Sequence, residues 1–453
     1  METMTWPNRW LRSAWFALAI LMSLILSGPA AAEITQIVVN SANDTGPFRS
    51  KIYREVHATM KGKAPGGAYS VPVVLAFPVT AADYNGFALV DVLNTVTVGN
   101  PQWVVGGRIL PVARLQLGEQ YLFGNGNFYV GVLWDKVAAE FFHTGTIVAP
   151  ADGYEILRDA VRLARNPAAA HFPLGFPLPS AAVKVIAYGY SQTGTLLRGF
   201  YLQRLNTAKG DVTFDGAVIG GARGSCRNLN APGVAGCEGP LADGGKVIAV
   251  NPEGDAEAGG FRERGETRDY RAIEVAGVSH LPVALVDFRG VGVPRQNPVD
   301  FFPVMRAALT NLQGWIRGTE PPPSAYITLQ DGPAKEILGQ PFKDAVRDRD
   351  GNAVDGLRLP HLPIRLGDGR MTGAPLGTYK GLDLDFKDAN RFFLISGTFV
   401  PFAEDRLRAL YPTREAYVSA VSLAAKDLVS KRYILQEDAD AYIRAAVRSD
   451  TGR

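Results

Sequence analysis

Short apolar runs, broken by turn residues, alternate along the chain with stretches of helical periodicity. Residues 34–40 and 53–60 read as early strands. Residues 71–77 and 87–93 are strongly apolar and rich in β-formers, and 128–134 (FYVGVLW) is another buried-strand candidate. Asp152-Gly-Tyr-Glu155 has the form of a capping box, and Ile156, Ala160 and Leu163 then fall on one helical face. Val183, Val185 and Ile186 predict a strand. Leu197, Phe200, Tyr201 and Leu205 follow at helical spacing. Further strands are predicted over 214–219, 247–250 and 272–276. A helix over 304–317 is stopped by Gly318 and Pro321-Pro322-Pro323. Residues 331–390, rich in Gly, Pro and Asp, predict an irregular excursion over the surface. Residues 392–395 offer one more strand, and the chain ends in helices, one capped by Thr413 and another within 433–447. Strands alternating with helices predict an α/β fold: a mostly parallel central sheet with helices on both faces and long loop insertions.

The sharpest local pattern is residues 181–194, AAVKVIAYGYSQTG. A buried strand that breaks at Gly189-Tyr190-Ser191 and restarts as a helix is how a nucleophile elbow is built. The turn holds the Ser191 hydroxyl at the C-terminal edge of a parallel sheet. Gly189 lets strand and helix pass closely. The fifth position, commonly Gly, is Thr193, with Gly194 one step later. Gly277-Val278-Ser279 is a second Gly-x-Ser that lacks the strand-turn-helix context. The bland alternative is an ordinary strand-to-helix turn with a capping Ser.

A serine hydroxyl needs an adjacent base, and the base needs an orienting carboxylate. On such sheets the order along the chain is Ser, acid, His. His57, His143 and His171 precede Ser191 and are excluded by that order. His280 follows a predicted strand and the turn at Gly277. His361, between Pro360 and Pro363, has no strand before it and reads as structural. The acid belongs just past the strand that ends near Asn251. Asp255 stands there, and Glu253, with its longer side chain, is the alternative acid. Asp269 reads as surface charge and Glu274 as a strand residue. Two N–H donors are needed to hold an oxyanion. The backbone of Gln192 supplies one, and Asn94 and Thr95, after the strand over 87–93, are candidates for the other. No HExxH, GxxxxGK[ST] or GxGxxG pattern is present, so neither metal nor nucleotide cofactor is expected.

The N-terminus carries Arg9 and Arg12, an apolar run over 14–26 and Ala30-Ala31-Ala32, the layout of a cleaved export signal over residues 1–32. The alternative is an uncleaved anchor, but the run is short of the roughly 20 residues of a comfortable span. Its removal leaves about 420 residues, in the range of one large α/β domain over 33–453. Basic and acidic residues number 47 and 44, a balance that makes no electrostatic case for nucleic acid or an anionic membrane as partner. The two cysteines, Cys226 and Cys237, flank a loop-like stretch. In an exported chain they predict a disulfide contributing about 2–3 kcal/mol.

The elbow Gly189-Tyr190-Ser191-Gln192-Thr193-Gly194 resembles that of bacterial α/β-hydrolase-domain proteins, whose elbow reads Gly-aromatic-Ser-Gln-Ser/Thr-Gly. Asn251-Pro-Glu253-Gly-Asp255 is similar to that family's acid loop, and residues 273–280 to its histidine segment. Ala307-Ala308-Leu309 with Trp315, Gly318-Thr319 and Pro321-Pro322 resembles its helix and Pro-rich exit. Later matches are Gly351-Asn352-Ala353, Leu357-Arg358-Leu359-Pro360, Pro401-Phe402, Leu410-Tyr411-Pro412 and Tyr417. The chain departs at Leu281-Pro282, where the pattern has a small and an acidic residue. The resemblance spans nearly all of 33–453 and implies one α/β-hydrolase domain with hydrolase chemistry on carboxylic esters. The expectation is therefore an exported serine hydrolase with a Ser191-His280-Asp255 triad and an acyl-enzyme intermediate. An amidase, peptidase or lactonase on the same triad is one alternative, and a catalytically silent binding protein is another. The long segments 94–118, with Trp103, Val104 and Val105, and 331–390, with Leu357, Leu359 and Leu362, are expected to line an apolar acyl pocket for a small to medium apolar or aromatic ester.

Overall fold

The computed structural model describes residues 33–96, 108–167, 172–173, 183–222, 226–230, 241, 243–287, 289–291, 293–337, 340–366, 369–384 and 394–452. The leader, Trp103, Val104, Val105, His171 and Cys237 lie outside them.

One nine-stranded sheet organises the chain. Its strands are β1 (Glu33–Phe48), β2 (Lys51–Ala64), β3 (Gly67–Pro78), β4 (Phe87–Val92), β7 (Phe128–Val132), β8 (Lys184–Tyr190), β9 (Gly216–Gly220), β10 (Lys246–Pro252) and β11 (Tyr270–Val275). A two-stranded ribbon, β5 (Asn94–Val96) with β6 (Arg108–Leu110), stands apart from it. The sheet order is β1-β2-β3-β7-β4-β8-β9-β10-β11. From β7 to β11 every neighbour pair is parallel, and β1 to β3 extend the sheet as antiparallel strands. The parallel strands are apolar on both faces because both faces are covered. On β8, Val185 and Ala187 pack into one core, whereas Ile186, Tyr188 and Tyr190 pack into the other. The first core is closed by α3 (Asp152–Arg165) and α4 (Gln192–Leu202). The second is closed by α1 (Val112–Leu117), α6 (Phe302–Ile316), α7 (Arg414–Ser430) and α8 (Gln436–Arg448). Between them in sequence lie α2 (Lys136–Phe141) and α5 (Glu253–Glu257).

Several elements differ from their sequence reading. β1 and β2 run well past their apolar segments, since an antiparallel ladder from Glu33↔Lys63 to Phe48↔Lys51 carries the polar residues along. Asp152 is not the cap of α3. It lies within the first turn and accepts from the N–H groups of Gly66 and Ala149, both at 2.8 Å. Thr413 does cap α7, accepting from Ala416 N–H at 3.2 Å. Among the described residues the last strand is β17 (Thr398–Pro401); of the predicted 392–395, residues 392 and 393 lie outside the described residues.

The excursion over 331–390 is less superficial than its composition suggests. It forms short hairpins, β12 (Lys335–Ile337) with β13 (Gln340–Phe342) and β14 (Ile364–Arg365) with β15 (Met371–Thr372), and supplies β16 (Gly377–Lys380), which pairs with β17. Ile327, Ala345, Ala353, Leu362 and Tyr379 bury themselves against Ala256 and Ala276, which follow β10 and β11. Leu357 N–H donates to Glu274 O at 2.8 Å and Ala276 N–H to Leu357 O at 2.9 Å, which covers the β11 edge. Leu357, Leu359 and Leu362 are thus core residues, at 4%, 0% and 0% exposure, and do not form an open pocket wall.

Candidate active site

β8 ends at Tyr190 and α4 starts at Gln192, so the chain reverses within one residue. Ser191 takes φ 57° and ψ −116°, a conformation that costs a non-glycine residue on the order of 1–3 kcal/mol and is characteristic of functional sites. Two neighbours make the turn possible. A Cβ on Gly189 would lie 2.7 Å from Thr193 O, and one on Gly194 would lie 2.5 Å from Gly220 O on β9. Thr193, the departure at the fifth position, is buried. Its hydroxyl accepts from Tyr190 N–H at 3.0 Å and lies 3.1 Å from Tyr190 O, bracing the elbow.

The parallel order β8-β9-β10-β11 puts the carboxyl ends of β8, β10 and β11 on one edge of the sheet. There Ser191 Oγ lies 2.8 Å from His280 Nε2. His280 Nδ1 lies 2.8 and 3.0 Å from the two oxygens of Asp255. His280 and Asp255 are buried. In the tautomer that donates Nδ1–H to Asp255, Nε2 is free to accept the Ser191 proton. Tyr190 supports the ring from below. It stacks on the imidazole at 5.0 Å and donates its hydroxyl to His280 O at 2.6 Å.

Glu253, the alternative acid, is turned elsewhere. Its carboxylate accepts from Gly277 N–H at 2.7 Å, Gly381 N–H at 3.0 Å and Arg347 at 2.9 Å. Its neighbour Glu257 shares Arg347, and burial, reinforced by the Glu253 charge, raises the Glu257 pKa. Asp269 pairs with Lys246 at 3.3 Å, and Glu274 is buried against Arg264. His57 is exposed beside Glu55. Both ring nitrogens of His361 are buried behind the His280 loop. Burial pulls its pKa down to about 3, against a smaller opposite pull from the Gly277 backbone.

The candidate oxyanion donors gather at the elbow. Gln192 N–H lies in the first turn of α4, where helix N–H groups have no intrahelical acceptor. Asn94 donates its side chain to Tyr190 O at 3.0 Å. Thr95 N–H donates to Gln192 Oε1 at 2.9 Å, and the Thr95 hydroxyl donates to Asp135 at 3.1 Å. Sequence reasoning missed Asp135. Asp135 caps α2 through Val137 N–H at 3.0 Å, takes Gln192 Nε2 at 3.3 Å and pairs with Arg227 at 3.4 Å. Its signal was a carboxylate directly after an apolar parallel strand, at the edge where ligands bind.

Residues 41–444 match the family model described as Alpha/beta hydrolase domain. No curated protein matches the chain. Among solved structures, the chain is similar to the rice cell wall degrading esterase LipA from Xanthomonas oryzae. Identity is 14% and the TM-score 0.24, over 40% of this chain and 50% of that one, so this chain spans about half the length of that esterase. It is also similar to a glucuronoyl esterase from Solibacter usitatus (9% identity, TM-score 0.28, 53% and 75% covered). A third likeness is to carboxyl esterase 2 from Tuber melanosporum (13% identity, TM-score 0.25, 52% and 77% covered). With most of its length matched and its parallel sheet covered on both faces, this chain belongs to the alpha/beta hydrolase domain family.

Proposed function

We propose that the protein is an exported serine hydrolase that cleaves carboxylic esters. The observation that carries this reading is the continuous hydrogen-bonded line from Ser191 through His280 to Asp255 at a strained strand-to-helix turn. Ser191 Oγ attacks the ester carbonyl as His280 Nε2 takes its proton, forming the tetrahedral oxyanion. Asp255 holds the imidazole and stabilises its charged form. Gln192 N–H and a donor at Asn94 or Thr95 receive the negative oxygen; for Thr95 this means that its N–H exchanges Gln192 Oε1 for substrate. Collapse expels the alcohol, which takes the proton from His280, and leaves an acyl-serine. Water, activated by the same imidazole, then releases the acid and restores the hydroxyl. No cofactor enters this cycle.

The proposed substrate is a small to medium apolar or aromatic ester. Val137, in the first turn of the helix capped by Asp135, is an exposed apolar side chain beside this edge, which supports the choice. Residues 1–32 act as the export signal, and Cys226 pairs with Cys237 in the exported protein. Intact mass before and after reduction and alkylation tests both. A retained Met1, or two thiols that alkylate without reduction, would contradict them.

The decisive experiment is labelling with a fluorophosphonate, followed by rates on p-nitrophenyl esters of graded chain length. Covalent modification of Ser191, lost in Ser191→Ala, is expected. A folded wild-type protein that neither labels nor hydrolyses any ester would overturn the assignment.

A further inference from the structure

The backbone that begins the His280 loop is gripped from both sides. Gly277, at φ +67°, donates its N–H to Glu253 Oε2 at 2.7 Å and accepts at its carbonyl from Asn297 Nδ2 at 3.0 Å. Glu253 and Asn297 are both 0% exposed. The same two side chains hold a second stretch of backbone, more than 80 residues beyond Asn297. Gly381 N–H donates to Glu253 Oε1 at 3.0 Å, and Asn297 Nδ2 donates to Lys380 O at 3.1 Å. Arg347 adds a contact of 2.9 Å to Glu253 Oε1.

This second stretch also touches the acid loop. Gly381 lies against Gly254, the residue before Asp255, so closely that a Cβ on Gly381 would sit 2.1 Å from Gly254 N. Beyond His280, Leu281 N–H donates to Ile395 O at 3.1 Å. The loops bearing Asp255 and His280 are therefore joined through a segment distant in sequence, and the joint is polar and buried.

Resting on the triad reading above, we infer that Glu253 and Asn297 are positioning residues that clamp the Gly277 peptide and so set His280 between Asp255 and Ser191. His280 must keep one nitrogen on each partner at once, and a misplacement near 1 Å costs about 100-fold in rate. A carboxylate held by two backbone N–H groups and a guanidinium allows little play, since charge-assisted hydrogen bonds are short and strong. A buried ion pair contributes little net stability compared with apolar side chains of similar volume. What it does supply here is one fixed arrangement of two backbone segments. The excursion that carries Arg347, Lys380 and Gly381 becomes part of the catalytic framework.

Steady-state kinetics and fluorophosphonate labelling rates of Glu253→Gln and Asn297→Ala test the clamp. Leu428→Ala, a core truncation in α7 remote from the site, serves as a control for lost stability alone. Both clamp variants are expected to lose at least tenfold in kcat and in labelling rate, with KM within about threefold of wild type. Leu428→Ala is expected to keep the wild-type kcat below its melting range. Should Glu253→Gln not fold, Asn297→Ala, which strands no charge, carries the test. Folded clamp variants with wild-type kcat and labelling rate, while Ser191→Ala is inactive, would overturn the clamp and leave the triad reading standing. Ester hydrolysis unaffected by Ser191→Ala would overturn the triad reading and the clamp with it.

Discussion

Tyr190 and His280 touch twice: the phenol donates to the His280 carbonyl at 2.6 Å while the two rings stack at 5.0 Å. Tyr190 precedes Ser191, so the residue that begins the elbow also carries the backbone of the proposed base. Tyr190→Phe keeps the stack and removes the hydrogen bond. A net hydrogen bond is worth about 0.5–1.5 kcal/mol, which corresponds to roughly a 2- to 13-fold loss in kcat if it acts through alignment. KM should be unchanged. An unchanged kcat in the folded variant would confine the Tyr190 hydroxyl to a structural role.

The two candidate acids on α5, Asp255 and Glu253, should separate clearly. Asp255→Asn is expected to lower turnover on the order of 10⁴-fold, the size seen when a serine protease's orienting aspartate is changed in the same way. Ser191→Ala and His280→Ala should each cost at least as much, because such residues act as a unit. Glu253→Gln should fall well short of that loss. Turnover ranked the other way would return the orienting role to Glu253.

Arg198, on α4 seven residues after Ser191, pairs with Glu263 at 3.1 Å, with both side chains essentially inaccessible to water. Removing one partner leaves the other's charge in the core and costs roughly 3–5 kcal/mol. Arg198→Met and Glu263→Leu should each lower the urea midpoint strongly. The double variant should be more stable than either single one. Additive losses in this double-mutant cycle would show that the pair is not coupled.

Two buried groups should tilt stability against pH in opposite directions. Asp91 accepts from Tyr129 OH at 2.9 Å and Ala113 N–H at 3.1 Å, but burial outweighs both and raises its pKa to about 7. In the unfolded chain it titrates near 4. Between about pH 4 and 7 the folded protein therefore holds a proton that the unfolded chain has lost. Its contribution is full below pH 4 and declines as pH rises, by at most about 1.4 kcal/mol per unit. For His361, lowered to about 3, the unfolded chain holds the extra proton below about pH 6.5, so stability declines as pH falls. Urea midpoints from pH 4 to 7.5 check both signs. Relative to wild type, Asp91→Asn should be more acid-sensitive and His361→Phe less so. Parallel curves for all three proteins would remove both contributions.

What the sequence by itself determined lies in contiguous residues. Apolar runs located the parallel strands, because a strand buried on both faces has no polar face to break the run. The elbow was legible because strand, turn and helix follow one another within residues 183–202. Chain order, with one strand before each loop, narrowed the histidines to His280. Tertiary structure alone decided which of Glu253 and Asp255 faces His280. Two residues apart on a helix they point about 200° from each other, since each residue turns it by about 100°. One carboxylate thus faces His280 and the other faces Gly277, Gly381 and Arg347. Two of the Glu253 partners, Arg347 and Gly381, lie up to 128 residues away, in the segment that composition marked as a surface excursion. No periodicity announces them, because a buried polar joint is made from single residues of separate segments. Only the packed chain, where each buried donor and acceptor must find its partner, assigns them.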